Sequence, residues 1–375
     1  MNILHINCNY TGNSVHRTMI KNLEKIDNLE NYVFAPVRHK SIYEKQNDKV
    51  KISECFYSFD RLFFHLKSRK IRRSLLSSYE ISKFDILHAY TLFTDGNVAW
   101  KINKEYNIPY VVAIRNTDVN TFFKYMVHLR KKGIEIMNNA SAIFFLSPVY
   151  KKEVFDKYIP NNLKEELDKK SYIIPNGIDD YWFEGNILPK NIDLNNINAI
   201  YAGRIDKNKN IIKTQEALQQ LRKKGYNINF SIVGKIENKN VFKELMKYPN
   251  TKYYGEKKKE ELKDLYNQNN IFIMPSKKET FGLVYAEAMT QGLPVIYTKG
   301  QGFDGQFEDG KIGYAVNPKD KNDISDKVLC ICRKYHNISK LSIKKSTKFA
   351  WNKICNKYYE IYLSIIYIGE KNDDK

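Results

Sequence analysis

Two carboxylates eight positions apart, Glu279 and Glu287, lie within Ser276-Lys277-Lys278-Glu279-Thr280-Phe281-Gly282-Leu283-Val284-Tyr285-Ala286-Glu287-Ala288-Met289. Glu287 sits among Ala286, Ala288 and Met289 on a segment that otherwise reads as a buried helix, where an ionised carboxylate is costly unless something binds it. A ligand is the natural candidate, although the spacing alone also suits a general acid and base pair. A second stretch supplies complementary chemistry. Gly203-Arg204-Ile205-Asp206-Lys207-Asn208-Lys209-Asn210 offers a planar guanidinium, Arg204, and a point-charge ammonium, Lys209. Together these can neutralise a diphosphate and stabilise it as a leaving group. Alone, the loop reads equally well as a solvated stretch of a lysine-rich chain; beside the Glu279 loop the ligand reading gains. No Asp-x-Asp triplet and no His/Cys cluster of metal-ligand spacing occurs. No metal and no cofactor is therefore expected, and side chains would carry the charge.

Such side chains need strands to aim them. Ile271 to Pro275 is a short apolar run of the kind buried in a parallel sheet, and Gly292-Leu293-Pro294-Val295-Ile296-Tyr297 is a helix stop followed by another strand. The unit is β-loop-α-β, in which ligands collect at the carboxyl ends of the strands. The backbone N–H groups of Phe281, Gly282 and Leu283 would open the helix towards an anion, and Gly282 permits close backbone approach.

The same rhythm extends along the chain. Ile3 to Asn7, Tyr32 to Pro36, Asp85 to Ala89, Pro109 to Ile114, Ala142 to Leu146 and Tyr172 to Ile174 are strand candidates. Between them lie helical patterns such as His16 to Ile26, Asp95 to Tyr106 and Phe122 to Met137. A polar stretch from Phe183 to Asn196 reads as a linker, after which strands recur at Ala199 to Gly203, Ile228 to Gly234, Lys252 to Gly255, Ile271 to Pro275 and Leu293 to Tyr297. The expectation is an α/β protein of two Rossmann-like, doubly wound domains, residues 1–190 and 191–348. A final aromatic-rich helix, within 349–375, would return to the first.

Composition bounds the partners. The 375 residues carry a net charge of +20, from 62 basic and 42 acidic side chains, which implies attraction to an anion: nucleic acid, a membrane surface or a phosphorylated small molecule. Cys8, Cys55, Cys330, Cys332 and Cys355 have no metal-like pairing and read as reduced thiols of a cytoplasmic protein. The opening Met1-Asn2-Ile3-Leu4-His5-Ile6 reads as a strand rather than a signal peptide, and no apolar run reaches the roughly 20 residues of a membrane span.

In the first domain, Tyr10-Thr11-Gly12-Asn13-Ser14 follows the opening strand, so Gly12 and Asn13 are ligand-loop candidates against the reading of an ordinary turn. His88 ends another strand, where packing competes with ligand contact. Arg115, Asn116 and Asp118 gather at a third strand end, a constellation that favours a ligand. Residues 59–76 interleave aromatic and aliphatic side chains with a dense basic cluster, as a helix lying on an anionic membrane surface requires; a core-packed helix with a solvated basic face fits as well.

From Gly203 to about Pro318 the chain resembles the retaining glycosyltransferases of family 4 (glycosyl transferases group 1), enzymes of the GT-B fold. The resemblance rests on Gly203-Arg204 with Lys209, on Glu-Thr-Phe-Gly-Leu-Val-Tyr-Ala-Glu-Ala-Met holding the Glu279-x7-Glu287 spacing, on Gly292-Leu293-Pro294-Val295-Ile296, and on Ile174-Pro175-Asn176-Gly177-Ile178-Asp179. It implies transfer of a sugar from a nucleotide-diphosphate sugar to a hydroxyl of a glycan or lipid-linked acceptor, in polysaccharide or glycolipid biosynthesis, in a cleft between the domains. By the same resemblance Arg204 and Lys209 hold the donor diphosphate, Glu279 touches sugar hydroxyls and Glu287 binds the ribose. Thr280 to Leu283 would supply backbone donors, alongside Gly203 and Gly12. Many members carry a histidine where this chain has Arg115. A nucleotide-sugar epimerase and a non-catalytic nucleotide-sugar- or nucleic-acid-binding partner are the alternatives; intact phosphate and sugar motifs argue against a pseudoenzyme, and no motif supports nucleic acid.

Overall fold

A computed structural model of the chain describes residues 1–39 and 49–373. The strands of the first sheet are β1 (Asn2–Ile6), β2 (Glu30–Arg38), β3 (Val50–Phe56), β4 (Ile86–Ala89), β5 (Tyr110–Ile114), β6 (Ala142–Phe145) and β7 (Ser171–Ile173). They are all parallel, in the order β3-β2-β1-β4-β5-β6-β7. Strand β4, with all four residues buried, and β5, with all five, show the continuous apolar character of strands covered on both faces. One face packs under the helices Phe64–Ser78, Thr94–Tyr106 and Arg130–Asn139 through Ile71, Leu75, Val98, Ile102 and Ile136. The other packs under Ser14–Leu23 and the terminal helix Trp351–Asp373, through Met19, Ile20, Leu23, Ile354, Tyr358 and Tyr362.

The second sheet comprises β8 (Ile197–Ala202), β9 (Ile228–Val233), β10 (Thr251–Tyr253), β11 (Ile271–Ile273), β12 (Val295–Thr298) and β13 (Gly313–Val316). It too is parallel throughout, in the order β10-β9-β8-β11-β12-β13. In both sheets the order reverses beside the first strand, between β1 and β4 and between β8 and β11. These reversals are the switch points at which doubly wound sheets leave a crevice for ligands.

The chain forms two compact units. Residues 1–146, 150–175 and the terminal helix from Trp351 make the first; 147–149 and 176–350 make the second. The domain junction therefore lies at Pro175 and Asn176, not at 190. The polar stretch expected to be the linker runs inside the second unit, where Lys190 Nζ donates to the carbonyls of Tyr266, Asn267 and Asn269 at the end of the helix Lys259–Gln268. Three further expectations shift. Strand β3 was not anticipated. The helix expected from Phe122 begins only at Arg130, after a π-helical turn at Asp118–Phe123. The terminal helix runs Trp351–Asp373, and residues 374 and 375 lie outside the described residues.

Candidate active site

The site in the second unit is assembled from the loops after β8 and β11, the two strands flanking the switch point. Gly203 follows β8 with φ of +148°, and Gly234, following β9, lies so close that a Cβ there would meet Gly203 O at 2.0 Å. Glycine is required at that crossing, because no side chain fits between the two backbones. The loop then turns on Asp206, whose Oδ1 accepts from the N–H groups of Asn208 (2.8 Å) and Lys209 (3.0 Å). Asn208 and Asn210 stitch it to the β11 loop. Asn208 Oδ1 accepts from Lys278 N at 3.1 Å, its carbonyl accepts from Lys277 N at 2.7 Å, and Asn210 Nδ2 donates to the carbonyls of Pro275 and Pro318.

This stitching brings together residues separated by 70 positions. Lys209 Nζ donates to Glu279 Oε2 at 2.6 Å, and both side chains are largely buried, at 15% and 13% exposed. Arg204 stands differently: its side chain is 66% exposed, and its nearest carboxylate, Asp206 Oδ2, is 3.9 Å away. The guanidinium therefore remains available to an anion. Glu279 is fixed at its backbone as well, its N–H donating to Gln301 Oε1 at 2.9 Å and its carbonyl accepting from Gly302 N at 3.1 Å. A Cβ on Gly302 would lie 1.6 Å from Thr280 O, so the loop after β12 clamps the Glu279 loop backbone to backbone.

Gly282 adopts φ of +77° as the cap of the helix Leu283–Thr290, and a Cβ there would meet the Tyr285 ring at 2.4 Å. Phe281 and Tyr285 are buried, and Tyr285 OH donates to Met274 O at 2.5 Å, pinning the first turn to the end of β11. The first N–H groups of this helix have no acceptors within it, which leaves Thr280 to Leu283 as a donor surface. On the buried helix, Glu287 is the only carboxylate. Loss of hydration pushes its pKa up to about 7 against the pull of Lys259, with Asp179 pushing the same way. Lys259 is itself ion-paired with Asp179. Glu279 and Glu287 thus occupy different surroundings, one paired with a lysine and one shifted towards its neutral form by burial. The Lys259–Asp179 pair and Gln301 escaped the sequence reading. Gln301, set between Gly300 and Gly302 directly after a strand, carried the one local signal.

In the first unit the candidates separate. Asn13 caps Ser14–Leu23 by accepting from Val15 N at 3.0 Å, and Gly12 faces open space. His88 is a core residue, which corrects its reading as an acceptor contact: it is fully buried, shares a 2.5 Å hydrogen bond between Nδ1 and Tyr362 OH, and stacks on Tyr90. Burial, with His5, Arg115 and His16 nearby, holds it well below the usual imidazole range. Arg115 Nε donates to Tyr90 O at 3.3 Å, and Asn116 bonds Asn120 within the next turn. Asp118 is buried and accepts from Arg115 N (2.9 Å) and Phe93 N (3.2 Å); burial raises its pKa to about 6 against those bonds. It lines a cavity of about 780 Å³ that also takes in Cys8 and Asn9 beyond β1, Thr91 and Thr94 beyond β4, and Thr117 beyond β5. Gly12, Asn13, His88, Arg115 and Asn116 do not line it. Among the described residues, no three His, Cys, Asp or Glu side chains gather as a metal site would require, and no helix is long and apolar enough to cross a membrane.

Comparison with known proteins adds a family match for the second unit and a shared fold. Residues 186–347, most of the second unit, match the family described as glycosyl transferases group 1. The alpha-monoglucosyldiacylglycerol synthase of Acholeplasma laidlawii is 28% identical over 384 residues, covering 92% of this chain and 91% of that protein. Among solved structures, the sucrose-phosphate synthase of Thermosynechococcus elongatus superposes with a TM-score of 0.72 at 16% identity, over 98% of this chain and 100% of the other. The Anabaena protein HepE, solved in complex with UDP, gives 0.70 at 14% identity, over 97% and 100%. With the basic loop, the clamped Glu279 turn and the doubly wound second unit all in place, residues 186–347 are those of a group 1 glycosyltransferase.

Proposed function

We propose that the chain is a retaining, metal-independent glycosyltransferase that moves a sugar from a nucleotide-diphosphate sugar to a hydroxyl of a glycan or lipid-linked acceptor, in cell-surface polysaccharide or glycolipid synthesis. The observation that carries this reading is the Lys209–Glu279 pair at the switch point of the second sheet, with the exposed Arg204 beside it. Lys209 has three donors and uses one on Glu279, so it can hold the carboxylate and a phosphate oxygen together. Arg204 takes the diphosphate as a fork, Glu279 accepts from sugar hydroxyls, and Thr280 to Leu283 donate backbone N–H groups to sugar and phosphate. Glu287 accepts from ribose hydroxyls, a contact that compensates its lost hydration. The acceptor oxygen bonds to the anomeric carbon as the bond from that carbon to the β-phosphate oxygen breaks. The acceptor proton passes to the departing phosphate on the same face, so the configuration is kept. Charge on the leaving diphosphate is met by Arg204 and Lys209.

The name of the Acholeplasma relative favours a glycolipid product, and the UDP in HepE favours a uridine nucleotide as the first donor to try. The test is release of nucleoside diphosphate from a panel of nucleotide sugars in the presence of lipid and glycan acceptors. Release should be lost in Arg204→Ala, Lys209→Ala and Glu279→Ala and unchanged by chelator. Equal behaviour of wild type and all three variants across the panel would refute the assignment.

A further inference from the structure

Arg115 is a cation without a counter-charge. It stands directly after β5 and is half-buried, a setting in which an ionic side chain ordinarily finds an opposite partner. Its Nε donates to the carbonyl of Tyr90, the residue after β4, at 3.3 Å, and the Tyr358 hydroxyl of the terminal helix is hydrogen-bonded to the same side chain. Both partners are uncharged: one is a carbonyl, the other a phenol that burial pushes up to about 12. The nearby carboxylate of Asp118 spends its oxygens on the backbone N–H groups of Arg115 and Phe93 instead of the guanidinium. Among the described residues, no ion pair to the Arg115 side chain forms, so donors of its planar fork remain unspent.

A second, independent observation lies at the end of β1. Asn7 is fully buried; its Oδ1 accepts from Asn9 N at 3.0 Å and lies 3.2 Å from His16 Nδ1, while its Nδ2 has no partner. A buried donor left without an acceptor is costly and calls for an explanation such as a water, an ion or a ligand. His16 packs against Tyr90 with ring centroids 4.9 Å apart, and burial, helped by the charge of Arg115, lowers it to about 3, which keeps it uncharged. Asn7, Tyr90 and Arg115 thus follow β1, β4 and β5, three neighbouring strands that include the switch point of the first sheet. Carboxyl ends of strands at a switch point are where doubly wound sheets take their ligands. None of these three residues lines the larger cavity of this unit.

From this unpaired cation at the switch point we infer that the acceptor carries an oxyanion, a sugar carboxylate or a sugar phosphate, which Arg115 takes as a planar fork beside the Asn7 amide. The inference rests on the glycosyl-transfer reading above and narrows its acceptors to anionic saccharides. Its test reads binding to the whole protein in saturating nucleoside diphosphate, so that Arg204 and Lys209 do not compete for the probe. Glucose, glucuronate and glucose 6-phosphate are compared by ligand-observed NMR titration. Wild type holds one of the two anionic sugars about tenfold or more tighter than glucose, a margin that shrinks as salt is raised. Glucuronate ahead identifies a carboxylate, glucose 6-phosphate ahead a phosphate. Arg115→Gln removes the preference, Arg115→Lys, which keeps the charge without the fork, retains part of it, and Tyr358→Phe, which loosens the guanidinium, falls between wild type and Arg115→Gln. All three keep the wild-type thermal shift with nucleoside diphosphate, the mark of a folded protein. Equal affinity of wild type for the three sugars, or a preference that survives Arg115→Gln, overturns the inference. So does a preference that vanishes in Arg204→Ala, which assigns the anion to the second unit, or one seen only between nucleotide uronates and nucleotide hexoses, which assigns it to the donor. If no nucleotide sugar is bound or turned over by wild type, the transfer reading itself has failed; if donors turn over but anionic sugars are not preferred, only the present inference has.

Discussion

At the scale of single residues, the two members of the cationic pair have different structural debts. Arg204 is mostly in solvent, so Arg204→Ala should change stability by no more than about 0.5 kcal/mol while lowering kcat/KM by about 100-fold or more. Lys209→Ala should cost activity on the same scale and also destabilise the protein by about 1–3 kcal/mol, because it strands the largely buried Glu279. Chemical denaturation beside initial-rate kinetics separates the two outcomes. Glu287 makes the opposite prediction. Its folded pKa, about 7, lies above its ordinary value of 4.5. Below both values the folded and unfolded chains are equally protonated and nothing is lost; as pH rises from about 4.5 to about 7 the unfolded chain ionises first, so stability falls and stays lower above. Glu287→Gln should therefore be more stable than wild type by about 1–3 kcal/mol at about pH 8 and equal to it near pH 4, while binding nucleoside diphosphate more weakly. A variant no more stable at high pH would show that Glu287 is not held short of hydration.

At the scale of elements, Gly282 and Gly302 decide whether the Glu279 turn keeps its shape. Gly282→Ala combines a left-handed φ with a clash into the Tyr285 ring and should cost about 1–3 kcal/mol; Gly302→Ala, which drives a Cβ into the Thr280 carbonyl, should cost more. Both should lower transfer further than their melting temperatures alone would explain. The turn itself was legible in the sequence, because parallel strands such as Ile271–Ile273 and Val295–Thr298 are apolar throughout and bracket the helix unmistakably. Strand β3 was not legible: Val50–Phe56 alternates buried ends with exposed Lys51 and Cys-flanking Glu54, the pattern of a charged edge. The domain junction was misplaced for a related reason. Irregular polar composition from Phe183 onward looks like a tether, yet Lys190 anchors it through three carbonyls, and the real crossing at Pro175 and Asn176 is short and partly buried. The contacts of Gln301 with Glu279, and of Lys259 with Asp179 near Glu287, join distant positions and follow only from the folded chain.

At the scale of the whole molecule, the first unit carries an acid sensitivity of its own. Burial lowers His5 to about 4 and His16 to about 3, and holds His88 lower than ordinary imidazole too. A histidine with a depressed folded pKa stabilises fully above its unfolded value near 6.5 and loses that contribution as pH falls towards the folded one. The raised carboxyls Asp95 and Asp118 of the same unit take up protons over the same range and oppose this loss, so the histidine share is read in a variant: His16→Asn should lose less stability than wild type between about pH 6.5 and about pH 4 in chemical denaturation. An equal loss in both proteins would contradict this.

The terminal helix has a further consequence. It supplies Ile354, Cys355, Tyr358, Ile361 and Tyr362 to the core of the first unit, although it is the last element along the chain, whereas the second unit is almost wholly contiguous. During synthesis on the ribosome the earlier-made unit must therefore wait, one sheet face covered only in part by Ser14–Leu23, while the later-made unit can already close. The order of completion is the reverse of the order of translation, and a nascent chain stalled before Trp351 should display an exposed apolar sheet to any chaperone that meets it.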